Sequence, residues 1–177
     1  MGYNGGKMNS EKELCIMLKN IFSKGKLKKI WEMEDVNERI MALSEYVAEK
    51  CRFGIKMNAL SQPERVFFIT QNVEMEVNNG GFSQLFYNSS GDFAGEMAEA
   101  FRAIGAEKTA AICRQALDAI GQPLPVNRAE RIELLEKIET DALMEALNAC
   151  DDAFYEYRDD LTACNDAYVM KNKADFM

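Results

Sequence analysis

Wherever apolar positions cluster along this chain, they fall at helical intervals. From Ser10 to Phe22, the residues Leu14, Met17, Leu18, Ile21 and Phe22 recur every three or four positions, which predicts an amphipathic helix interrupted at Gly25. Asp35 is placed to cap a helix running to about Cys51, with Ile40, Leu43, Tyr46 and Val47 facing inward. Ser61, Pro63 and Glu64 then give the clearest start signal: a capping hydroxyl, a proline in the first turn and a carboxylate that reaches back. Val66, Phe67, Ile69, Val73 and Val77 make the helix that follows largely buried. It stops at Asn78-Asn79-Gly80-Gly81, where asparagine and glycine offer left-handed conformations. A short aromatic turn over 82–88 and a loop and cap over 88–92 come next, then helices over 93–104 and 107–120, closed by Gly105 and Gly121. Pro123 and Pro125 force an extended link before Asn127 caps a helix through about Ile138.

The last stretch, roughly Asp141 to Met170, has the strongest periodicity and reads as one long helix. Leu143, Leu147, Cys150, Phe154, Tyr157, Leu161, Cys164 and Tyr168 fall within an arc of about 100° and form its core face. Asp141, Glu145, Asp152, Glu156, Asp159 and Asp166 fall within about 80° on the other side. No alternating β-branched run and no internal repeat interrupts this helical pattern. The expected fold is all-α, a single-domain bundle of about seven to eight helices. Residues 1–30 are expected to form a basic N-terminal segment and 31–177 the helical domain.

Charge divides the chain in the same place. The net charge is −8, yet the first 29 residues carry seven lysines against Glu11 and Glu13, a local balance of +5. The remaining 148 residues therefore stand at −13 and should repel nucleic acid and anionic membrane while attracting basic partners. Apolar runs are short and broken by charges, so neither a membrane span nor a signal peptide is expected, and the cytoplasm is the expected compartment. The basic amphipathic segment is expected to pack on its own domain rather than on a membrane.

Residue types narrow the chemistry. There is no histidine, and Cys15, Cys51, Cys113, Cys150 and Cys164 are widely spaced without a CxxC pair, so no zinc site is expected and the thiols read as reduced and buried. No phosphate-binding glycine loop or other cofactor motif is present. Two stretches remain as candidates. Glu130 to Asp166 holds twelve acids opposed only by Arg131, Lys137 and Arg158. A partner-binding face drawn from it consists of Asp141, Glu145, Asp152, Glu156, Asp159 and Asp160, extended by Glu133 and Glu136. Carboxylates at that pitch can imitate part of a phosphate backbone, or can simply be the solvated side of a helix. The other candidate is the block from Asn78 to Asp92, rich in amides, hydroxyls and glycines, where Glu74 or Glu76 could act as a base beside a small polar pocket. Alternatively, its glycines end a helix, its amides cap backbone groups and Phe82, Phe86 and Tyr87 anchor it in the core.

That block, followed by Ala100 to Ala106 and by Leu147 to Tyr155, resembles the DNA-mimic protein family (domain of unknown function 4375) over about residues 60 to 170. The most specific part is the string Asn79, Gly80, Gly81, Phe82, Gln84, Tyr87 and Asn88. The resemblance implies an all-α fold, often a homodimer, whose acidic surface occupies the DNA-binding site of a protein such as a transcriptional repressor. It implies no catalytic residue and no cofactor. The expected function is thus a non-enzymatic acidic binding protein whose partner is a basic or DNA-binding protein. Two rivals stand beside it: an immunity-type or regulatory inhibitor of a toxin or enzyme that works without DNA mimicry, and an enzyme using a polar pocket at 79–88.

Overall fold

The computed structural model describes residues 25–176, so the predicted Ser10–Phe22 helix and Cys15 lie outside the described residues. Within them the chain is helical throughout, with no strand. Residues 25–31 are helical and bury Leu27 and Ile30. Helix α1, Val36–Lys50, starts where the Asp35 side chain accepts from the Glu38 N–H and buries the predicted quartet Ile40, Leu43, Tyr46 and Val47. Helix α2, Gln62–Tyr87, opens on the predicted capping box, with Ser61 and Glu64 each accepting from the other's backbone N–H. A 3-10 helix at Ser89–Glu96 leads into α3, Met97–Ala103, and then α4, Glu107–Ile120, closes on left-handed Gly121. Asn127 caps α5, Arg128–Ile138. Thr140 caps α6, Asp141–Tyr155, and Asp160 caps α7, Leu161–Lys171.

Helix α2 is the axis against which most of the others pack, including α1, α3, α5, α6 and α7. An aromatic chain runs through the centre: Phe86 and Phe82, Phe82 and Phe154, then Phe154 and Phe101, with ring centroids 6.1, 6.0 and 6.2 Å apart. Such pairs add about 0.5–1.5 kcal/mol each to simple apolar burial. A second cluster ties the ends of the described chain together, with Phe176 edge-on to Trp31 at 5.9 Å and to Phe67 at 6.0 Å.

Two expectations are corrected here. Residues 93–104 are not one helix: the chain stays in the 3-10 form to Glu96 because Ser90 and Asp92 are hydrogen-bonded to Glu76 and Arg131, and Gly91 lies against the Arg131 guanidinium. The single helix from Asp141 to Met170 is also two, broken after Tyr155. Tyr157 takes a left-handed φ of 47° and is exposed rather than on a core face. The break has a physical cause. The N-cap of helix α4 is Ala106, whose side chain cannot accept a hydrogen bond, and Asp159 supplies the missing acceptor to the Thr109 N–H at 2.8 Å and its hydroxyl at 3.1 Å. Asp160, next along, caps α7 through the Ala163 N–H.

Candidate functional site

Consider first the amide- and glycine-rich block. At Gly80 and Gly81 the backbone of α2 leaves the helical region and then re-enters it. Gly81 sits at φ 74°, ψ −178°, a conformation that only glycine adopts without strain. Restarting the helix leaves the Phe82 N–H without a partner one turn back. Asp151 on α6 supplies one, its Oδ1 accepting from Phe82 N at 2.7 Å. The approach is close enough that a Cβ on Gly81 would lie 2.2 Å from Asp151 Oδ2.

Three polar side chains of the block turn toward Glu76. Its buried carboxylate accepts from Gln84 Nε2 at 3.2 Å, Asn88 Nδ2 at 2.9 Å and Ser90 Oγ at 3.0 Å. Tyr87 donates to Glu139 at 3.3 Å, and Asn79 is exposed. Phe82 and Phe86 are buried in the core, as the anchoring alternative anticipates.

Beside this carboxylate lies a residue whose role sequence reasoning missed. Arg131 is 0 % exposed, and its guanidinium donates to the carbonyls of Phe86 (2.7 Å), Asn88, Pro125 and Val126 (each 2.9 Å) and to Asp92 Oδ1 (2.7 Å). It thereby satisfies the carbonyls left over where α2 ends and where the Pro123–Pro125 link passes. Gly91 belongs to the same lock, since a Cβ there would come within 2.6 Å of both Arg131 Nε and the Phe86 carbonyl oxygen. No buried side-chain nitrogen or oxygen among the described residues lacks a hydrogen-bond partner.

This arrangement is poorly suited to general-base or nucleophilic chemistry. Glu76 could release a proton acceptor only by breaking three hydrogen bonds. Glu74 faces the Tyr157 hydroxyl, which donates to its Oε1 at 3.1 Å while accepting from Asn78 Nδ2 at 2.6 Å. Burial pushes the thiols of Cys51, Cys113, Cys150 and Cys164 upward, away from the reactive thiolate, and all four are free. No group of three or more metal-ligating side chains stands together among the described residues.

Burial also raises Glu74 above the ordinary carboxylate value of 4.5, against the opposing Tyr157 hydrogen bond. Burial and then the Asp152 charge raise Asp151 above 3.8, against the Phe82 N–H. Each folded carboxyl thus holds a proton over an interval where the unfolded chain has lost it, so these two groups make stability fall as pH rises through that interval. Glu74→Gln combined with Asp151→Asn should flatten this part of the decline. Urea midpoints of both proteins between about pH 4 and 7 check it, and parallel curves would reject it.

The acidic candidate divides into engaged and free carboxylates. Asp159 and Asp160 cap helices, Glu156 pairs with Arg158, and Asp166 accepts from Arg39 at 2.9 and 2.7 Å. Asp141, Glu145 and Asp152 remain exposed on α6 without an ion pair among the described residues. They lie within about 40° of arc and about 17 Å of rise. Glu133 and Glu136 on α5 are exposed as well. Of the three cations that oppose this stretch in sequence, Arg131 is buried and Arg158 is paired, which leaves exposed Lys137.

No described helix is long and apolar enough to cross a membrane. A family model described as DMP19-like protein matches residues 58–172, close to the span of about 60 to 170 over which the sequence resembles the DNA-mimic family. No curated protein and no solved structure gives a match.

Proposed function

From membership of the DMP19-like protein family, to which this chain belongs, we propose that it is a non-enzymatic, acidic cytoplasmic protein that occupies the DNA-binding surface of a transcription regulator or another DNA-binding protein. The observation that carries this reading is the row Asp141, Glu145 and Asp152, exposed on one side of α6 and unopposed by a paired cation among the described residues. An ordinary solvated helix face intersperses both signs. Here Arg131 is buried and Arg158 is paired with Glu156, so neither is free to pair with Asp141, Glu145 or Asp152, and the row keeps its three charges exposed. Such a field attracts the lysines and arginines that would otherwise neutralise phosphates.

The test uses the immobilised chain beside an Asp141→Asn, Glu145→Gln, Asp152→Asn variant. Asp159, Asp160 and Asp166 are left intact because they hold the fold together. A captured DNA-binding protein should be displaced by duplex DNA and should bind the variant about tenfold more weakly at low salt, with a shallower salt dependence. A captured partner indifferent both to DNA and to the three neutralisations would reject mimicry and move the function to an inhibitor of a toxin or enzyme.

A further inference from the structure

Four of the eight large hydrophobic side chains exposed among the described residues ring a single cleft. Phe53, Ile55, Met75 and Val126 are 74, 83, 52 and 70 % exposed. The cleft holds about 620 Å³ between the loop after α1, the outer side of α2 and the 3-10 helix. Isolated exposed hydrophobics need no explanation, but a cluster around a concavity marks a surface that something covers. The loop is also fixed in place. Arg52 and Phe53 both take left-handed φ values, 52° and 54°, followed by Gly54 at 93°. Hydrogen bonds from Phe53 N to the Ala48 carbonyl at 2.7 Å and from Lys56 N to the Cys51 carbonyl at 2.8 Å hold them there. Glu76 contributes to the lining with a carboxylate that accepts from three neutral donors and pairs with no cation among the described residues.

We propose that this cleft seats the chain's own residues 14–24, whose sequence carries the apolar stripe Leu14, Met17, Leu18, Ile21 and Phe22. Reach supports this occupant. Lys26 Nζ lies 2.9 Å from Glu49 Oε2 near the C-terminal end of α1, one turn before the loop that bears Phe53 and Ile55. Phe22 is four residues before Lys26, a distance of about 6 Å in a helix and at most about 14 Å extended. Charge supports it as well: Arg65 and Asp92, the other charged groups of the lining, are paired with Glu96 and Arg131, which leaves the Glu76 carboxylate unbalanced, while residues 15–24 hold Lys19 and Lys24 and no acid. Seating the stripe would cover the rim hydrophobics and bring lysines onto an acidic body.

The experiment uses the full chain carrying Phe22→benzoylphenylalanine, with light and heavy-isotope chains mixed before irradiation and the cross-linked peptides sequenced. Links within one chain from position 22 to residues 53–57 or 72–76 are expected. Phe53→Asp with Ile55→Asp should reduce them about fivefold or more, as loss of roughly one buried side chain's worth of apolar contact implies. Both side chains are exposed on the body that the segment would cover, so the double variant should keep the circular dichroism of the folded body. Links between two chains, links to other surfaces, the absence of any link, or links undiminished in the double variant would overturn the proposal.

Discussion

Arg131→Ala should cost about 3–5 kcal/mol, the range for leaving buried polar partners without their ion, and this is the largest single-site loss expected in the protein. The Asp92 ion pair is not the main reason. Half of the Asp92 side chain is exposed, so that pair alone contributes at most about 1 kcal/mol, and Asp92→Asn should cost no more than that. The four carbonyls dominate. Two lie where α2 ends and two in the Pro125–Val126 link, and they converge on one guanidinium with no exposed surface of its own. A lysine cannot present five N–H groups in a plane, so Arg131→Lys should recover the charge but only part of the stability. Thermal unfolding should show a fall of about 10 °C for Arg131→Ala, with Arg131→Lys between it and the unaltered protein. A fall below about 1 kcal/mol for Arg131→Ala would mean that water replaces the guanidinium without loss.

The contrast between Arg131 and Ser61 explains what the sequence does and does not disclose. Helix starts at Asp35, Ser61 and Asn127 and the stop at Gly121 are legible because each cap bonds within a few residues of itself. The buried face of α1 is legible for the same reason. Arg131 looks like one cation in an acidic stretch, and its partners at Phe86 and Asn88 are more than forty residues away. The break after Tyr155 is hidden differently: apolar spacing continues through it at helical intervals, while the group that requires it, the Thr109 N–H, is fifty residues upstream. The acidic face therefore reads as continuous from Asp141 to Asp160 in the sequence, although its second half is occupied with capping and pairing.

These long-range bonds also explain why a family string can be specific without being a reactive site. Gln84 and Asn88 bond Glu76, Gly81 admits Asp151, and Gly91 admits Arg131. Each identity answers to a contact inside the fold. A surface that meets a partner is then free to differ on α5 and α6 without disturbing that lock.

Gly81→Ala should be the second most damaging change, at about 3 kcal/mol or more. Two effects contribute. An alanine at φ 74°, ψ −178° is strained by about 1–3 kcal/mol wherever it stands. Its Cβ would also lie 2.2 Å from Asp151 Oδ2, so the carboxylate must retreat and release the Phe82 N–H, a loss of about 0.5–2 kcal/mol for a helix cap. Asp151→Ala separates the two, because it removes the cap without straining the backbone and should cost only the smaller amount. In the double variant Gly81→Ala, Asp151→Ala the cap is already lost, so the two losses should add to less than their sum. Gly95→Ala is the control: nothing lies within 4 Å of its Cβ and its backbone is not left-handed, so its urea midpoint should stay within error of the unaltered protein. Full additivity would show that the Asp151 bond survives Gly81→Ala, and that backbone strain alone makes glycine necessary where α2 turns toward the core.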